Sequence, residues 1–152
     1  MADRQASVLC GRGRARETRA VSETFDLSST IVHLGRGSTA VPVGGADWSL
    51  EWLARYSEEF QTDGDDGRMV CVFPQSETWT SWERHPAGEE VVVLLSGRVD
   101  LIQDLDGDHH RVTLLPGQAM INPRGVWHTA DVHEPGQGLF ITPGRGTEHR
   151  PR

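Results

Sequence analysis

The sequence contains no lysine: all fifteen of its basic residues are arginine. Imine chemistry through a lysine amine is thereby excluded. Cysteine is scarce as well. Cys10 and Cys71 are too few for a disulfide framework, and Cys71, inside the apolar run M-V-C-V-F, reads as a small packed hydrophobe. No apolar stretch approaches the roughly 20 residues that cross a bilayer. The N-terminus lacks the apolar segment of a secretory leader, so the expectation is a cytoplasmic protein without a membrane partner. Positive charge is also lacking. A net charge of −7 argues against a general nucleic-acid binder. The deficit is uneven, because five Arg against Asp3 and Glu17 give residues 1–20 a charge of +3 and leave −10 for the rest. That first stretch shows no hydrophobic periodicity and is expected to be a disordered basic extension, with residues 21–152 forming a single domain.

What is abundant is punctuation, with 17 Gly and 8 Pro in 152 residues. Phe25 to Leu34 reads as a first extended segment. Asp47 or Ser49 can cap a short helix in which Leu50, Leu53, Tyr56 or Ser57, and Phe60 fall at helical spacing. T-D-G-D-D-G, from Thr62 to Gly67, reads as a solvated turn. From Arg68 onward, short apolar runs alternate with turn signals every 8 to 12 residues, the pattern of an antiparallel sandwich or barrel. Gly97 and the E-P-G at 134–136 read as two of those turns, with His133 beside the second. His109 and His110 read as exposed turn residues, and the C-terminal G-R-G-T-E-H-R-P-R as a polar tail.

One constellation stands out in W-E-R-H-P-A-G-E-E, from Trp82 to Glu90. Alternate residues of a strand share a face, so Trp79, Ser81, Glu83 and His85 point one way and Trp82 and Arg84 the other. Burying Glu83 and His85 inside a small barrel is costly without a partner, and a metal ion is the simplest one. The turn at Pro86-Ala87-Gly88 brings Glu90 opposite that pair if Glu90, Val92 and Leu94 face inward. His128, sharing a face with Val126 and Ala130 after the turn Asn122-Pro123-Arg124-Gly125, supplies a further inward imidazole.

These spacings resemble the two motifs of the cupin superfamily. The first motif, G-x5-H-x-H-x(3,4)-E-x6-G, corresponds here to Glu83-x-His85-x4-Glu90-x6-Gly97, with Glu at position 77 in place of the opening glycine and Glu83 in place of the first histidine. The second, G-x5-P-x-G-x2-H-x3-N, corresponds to Gly117-x5-Pro123-x-Gly125-x2-His128, with Val132 in place of the final asparagine. The resemblance spans residues 68–143. It implies an all-β double-stranded β-helix (jelly-roll) barrel, with an N-terminal extension and a short helix outside it. It also implies a divalent metal ion (Fe, Mn, Zn, Ni or Co) on His85, Glu90 and His128, with position 83 as the fourth ligand, and a homodimer.

Donor chemistry agrees with such ions, but an ionised Glu83 has two readings, a fourth ligand or a free general base beside the metal. Trp79, Ser81 and Phe140 are expected to line the pocket for a small-molecule ligand. The functional expectation is a metal-dependent enzyme acting on a small oxygen-rich substrate, by isomerase or epimerase chemistry or as a dioxygenase; the cupin superfamily includes both. The alternatives are a non-catalytic binding or sensor module, and a scaffold in which Phe25 to Leu34 pairs with a neighbour's sheet edge.

Overall fold

The computed structural model describes residues 23–152; the expected disordered extension at 1–20 lies outside them. Nine strands and one α-helix follow in the order β1 (Thr30–Gly35), β2 (Thr39–Gly44), α1 (Leu50–Glu59), β3 (Arg68–Gln75), β4 (Ser81–Arg84), β5 (Glu90–Leu105), β6 (Asp108–Leu114), β7 (Ala119–Asn122), β8 (Trp127–Pro143) and β9 (Glu148–Pro151). The fold is an all-β, antiparallel barrel.

Two long strands make the barrel. The C-terminal half of β8 and the first residues of β5 lie in one layer, β2-β1-β3-β8-β5-β7. The other halves of the same strands lie in a second layer, β9-β4-β8-β5-β6. β5 passes from one layer to the other through register irregularities between Leu94 and Val99. Gly97 therefore does not close a strand, as expected from its turn-like setting. It sits in the bulge with φ +87°, a left-handed conformation that glycine adopts without strain. Glu134-Pro135-Gly136 lies opposite it, inside β8 rather than in a turn. Bulges of this kind bend a strand without ending it.

The inner faces form the core, with Ile31, Met69, Cys71, Val92, Leu94, Leu101, Ala130 and Phe140 buried. Burial pushes the Cys71 thiol up to about 12, which removes it as a nucleophile at neutral pH. The outer face of the first layer is apolar too. One cross-strand row reads Val32, Val70, Ile141, Val91, Ile121 and a second reads Val72, Leu139, Val93, Ala119; Ile121 is 54% exposed.

Helix α1 starts where Ser49 Oγ accepts the Trp52 amide, at 3.1 Å. Asp47 in turn accepts from the Ser49 amide and hydroxyl, so both candidate caps take part. The buried face overlaps the expected one, since Leu53 and Phe60 pack against the core with Tyr56, but it is turned away from Leu50. Trp52 and Tyr56, one turn apart, enter the core, while Leu50 is 87% exposed. A Trp and Tyr stacked at 5.4 Å bury more area than leucines at the other positions, and they set the helix rotation. Tyr56 meets His33 of β1 at 2.6 Å, and the other His33 nitrogen meets Asp63 at 2.9 Å. The T-D-G-D-D-G stretch is a largely exposed 3-10 turn, as expected, and it is also tethered. Asp63 holds His33, while Asp65 and Asp66 pair with Arg145 and Arg36. The first strand also differs from expectation, because β1 has β2 on one side and β3 on the other. It offers no free edge to a neighbour.

His133, expected in a turn, lies in β8 and meets Asp100 at 2.9 Å. His109 and His110 are exposed but belong to β6. The Thr113 hydroxyl, ahead of His133 and Arg111, outweighs burial and holds the Asp100 carboxyl well below the usual carboxylate range. A carboxyl depressed in the folded state stabilises the fold above its unfolded value of about 3.9, and that contribution is lost as pH falls through its folded value. Asp100→Asn is therefore expected to lower the melting temperature at pH 7, with the gap to wild type narrowing at pH 3. An equal gap at both pH values would show that the charge of Asp100 contributes nothing.

Candidate metal centre

The pairing of β4, β5, β7 and β8 assembles the site. Glu83 of β4 pairs with His128 of β8. His85 follows β4 at the P-A-G turn, and Glu90 begins β5 opposite Asn122 of β7. His85 and His128 are each 1% exposed and Glu90 3%. Glu90 Oε1 lies 3.3 Å from His85 Nε2, and its Oε2 lies 3.2 Å from His128 Nε2. Donor atoms of these three residues lie within 4.8 Å of one another. Among the described residues, neither Nε2 atom has a hydrogen-bond partner.

Each imidazole is tied down through its far nitrogen. His128 Nδ1 donates to the Val126 carbonyl at 3.2 Å, which fixes its proton there and leaves a lone pair on Nε2. His85 Nδ1 meets Thr147 Oγ1 at 3.1 Å. Glu90 is oriented by two donors, Asn122 Nδ2 at 3.0 Å and Thr142 Oγ1 at 2.7 Å. Gln103 donates to Asn122 at 2.9 Å and holds that amide in turn.

Two buried nitrogens with bare lone pairs, facing one ionised carboxylate, fit a divalent cation. Atoms that share an ion at about 2.1 Å lie about 3 Å apart at right angles and slightly further at tetrahedral angles. The 3.2–3.3 Å spacings are of that size, and without a cation the two nitrogens are buried and unsatisfied.

Glu83 stands to one side. Its Oε1 is 3.3 Å from His85 Nε2 and its Oε2 is 3.7 Å from His149. Burial first, and then the charge of Glu90, raise its pKa above the ordinary glutamate value. It borders a cavity of about 510 Å³. Trp79 and Phe140 line that cavity together with Trp48 and Leu53 at helix α1 and Met69 and Phe73 of β3. Ser81 is not among the lining residues; it is half-buried, and its carbonyl accepts from Thr129. Polar lining comes from Glu83, Glu90, Thr142, Thr147, His149 and Gln75, and among the described residues no arginine lines it.

A family model described as a cupin domain matches residues 69–142. The chain belongs to the cupin superfamily. Among solved structures, the cupin barrel is similar to a cupin-2 domain protein from Shewanella frigidimarina, at 20% identity and TM-score 0.44, over 50% of this chain and 70% of that one. A cupin superfamily protein from Desulfitobacterium hafniense is 18% identical with TM-score 0.43, over 50% of this chain and 66% of the other. A hydroquinone 1,2-dioxygenase from Sphingomonas, solved with 4-hydroxybenzoate bound, is 15% identical with TM-score 0.43, over 50% of this cupin and 59% of the dioxygenase. No curated protein matches it.

Four residues around the site escape sequence reasoning. Asn122 reads as part of a turn, although pairing Glu90 with Asn122 follows once the β5–β7 register is known. Thr142, Thr147 and His149 reach the site across 52 or more residues, and no local pattern marks them. The polar C-terminal tail is in fact a paired strand.

Proposed function

We propose that this cupin is a metal-dependent enzyme in which His85, Glu90 and His128 hold a divalent cation and Glu83 is the proton-transfer base. The observation that carries this reading is the position of Glu83. It stands beside the His-Glu-His group, borders the cavity, and has its pKa raised by burial and by the Glu90 charge. A carboxylate beside the cation and at the cavity wall is placed to take a proton from a bound molecule and return it. The cation supplies Lewis acidity toward a carbonyl or hydroxyl oxygen of the bound molecule. Glu83 takes a proton from a hydroxyl-bearing carbon next to a carbonyl, and the electron pair moves onto the carbonyl oxygen. The proton returns either to the former carbonyl carbon, with the hydroxyl proton passing to the former carbonyl oxygen, or from water to the opposite face of the first carbon. That is isomerase or epimerase chemistry.

The aromatic and aliphatic wall of Trp48, Leu53, Met69, Phe73, Trp79 and Phe140 favours a substrate with an apolar body and an oxygen-rich head. Elemental mass spectrometry on untagged protein tests the assignment. Wild type and Glu83→Gln are both expected to carry about one metal per chain, and His85→Ala to carry almost none. Loss of metal in Glu83→Gln would make Glu83 a ligand and overturn its role as base. A wild type that stays empty after incubation with Fe(II), Mn(II) and Zn(II) would overturn the enzyme reading and leave a binding module.

The partner proposed for the apolar outer face is a second copy of the chain. Strands apolar on both faces are ordinarily covered on both, and the central rows of this face carry no charge to repel a copy of itself. Sedimentation is expected to give twice the 16.8 kDa chain mass for wild type and a single chain for Ile121→Asp. A monomeric wild type would overturn the dimer.

A further inference from the structure

Two imidazoles face the proposed cation, but they are held in different ways. His128 donates to Val126, two residues earlier in its own motif. His85 depends on Thr147, which lies 62 residues away and outside the matched family region of 69–142. The link is built by strand pairing. β9 runs antiparallel to β4 with Trp82 opposite Arg150, Glu83 opposite His149 and Arg84 opposite Glu148. One further step in that register brings Thr147 beside His85.

The C-terminal segment is fastened along its length. Arg145 pairs with Asp65, Glu148 with Arg84, Arg150 with Asp104 and Arg152 with Asp131. Arg150 also lies over the rings of Trp82 and Trp127, at 5.4 and 4.5 Å. So held, Thr147 is a fixed group and not a passing contact.

From this we infer that Thr147 is a positioning residue for the metal site. It accepts the proton-bearing Nδ1 of His85, keeps the Nε2 lone pair aimed at Glu90, and makes metal affinity depend on the C-terminal strand. The tautomer follows from the proposed cation: binding through Nε2 uses that nitrogen's lone pair and leaves the ring proton on Nδ1, where Thr147 Oγ1 accepts it at 3.1 Å. The inference rests on the proposed metal reading at His85, Glu90 and His128. It adds that the family motifs alone do not complete this site.

The test compares wild type, Thr147→Val and Thr147→Ser as full-length proteins. Co(II) affinity is read by chelator competition, the visible Co(II) spectrum is recorded, and the His85 tautomer is read by long-range 15N NMR of the apo form. Loss of an outer hydrogen bond to a ligating histidine typically weakens metal binding about 10- to 100-fold. That loss is expected for Thr147→Val, together with a changed Co(II) spectrum and a mixed His85 tautomer. Thr147→Ser is expected to stay within about threefold of wild type, since it keeps the hydroxyl. Equal Co(II) affinity and an unchanged tautomer in Thr147→Val would overturn the inference while leaving the metal reading intact. A wild type that binds no Co(II) would overturn both. Apo melting temperatures of the three proteins are expected to agree, so a lower value for Thr147→Val alone would reassign Thr147 to fold stability and overturn the inference.

Discussion

Glu90→Gln is expected to empty the metal site while leaving the barrel folded. Glu90 is the one ionised group placed between the two imidazoles, and both of its oxygens are engaged, one by Asn122 and the other by Thr142. Glutamine keeps the shape but removes the charge, and it puts an N–H where one of those donors points. A neutral amide is a poor ligand for a divalent ion, and the penalty should exceed the roughly 10- to 100-fold seen for outer-shell losses. Metal content is expected to fall from about one per chain to under a tenth, read by elemental mass spectrometry after dialysis. Because ligand binding to the native state raises stability by mass action, wild type should also lose several degrees in melting temperature on chelation, and Glu90→Gln should not. Retention of full metal content by Glu90→Gln would remove Glu90 from the ligand set.

The second large effect is expected far from the metal. Gly136 sits where β8 crosses the bulge of β5. A Cβ there would run into the backbone of Ser96 and Gly97, atoms that cannot move without shifting the bulge itself. Gly136→Ala is expected to destabilise by about 2–4 kcal/mol, within the range for forced overpacking and backbone displacement. For a domain of this size that corresponds to about 5–15 °C in melting temperature. A loss under about 1 kcal/mol in a denaturant titration would show that the crossing relaxes. Because β5 carries Glu90 and β8 carries His128, the same experiment asks how firmly the bulge holds the two halves of the site.

The parts of the molecule legible in the sequence are those governed by short-range rules. Alternation along β4 separates Glu83 from Trp82 and Arg84, and the structure places Glu83 and His85 3.3 Å apart with Trp82 packed on the outside near Arg150. Motif spacing brings Glu90 and His128 into the same set. Parity fails at Ser81, which shares the face but does not reach the cavity. The continuity of β5 and β8 is hidden because Gly97 and Glu134-Pro135-Gly136 carry turn chemistry while serving as bulges; a glycine needed for close approach looks the same in sequence as one needed for reversal. The helix face is legible at Leu53, Tyr56 and Phe60, which pack on the core, but not at Leu50, which is exposed while Trp52 is buried, because the larger ring sets the rotation. The roles of Thr142, Thr147 and His149 depend on pairings between distant segments, and these appear only once the register of the barrel is known.

Strand β4 also bears on how the protein is made. Its two neighbours are β8 and β9, both of which follow it in the chain by more than forty residues. During synthesis, Glu83 and His85 emerge early and have no strand to join until β8 has been made. The first layer waits as well, since β3 pairs with residues 136–143. Non-local pairing of this kind is slow to form and leaves apolar strands open in the interval. The M-V-C-V-F run is thus an apolar segment that waits for its β8 partner until residues 138–142 have been made. That run is where a chaperone would be expected to bind, and β9, which brings Thr147 to His85, follows later than β8.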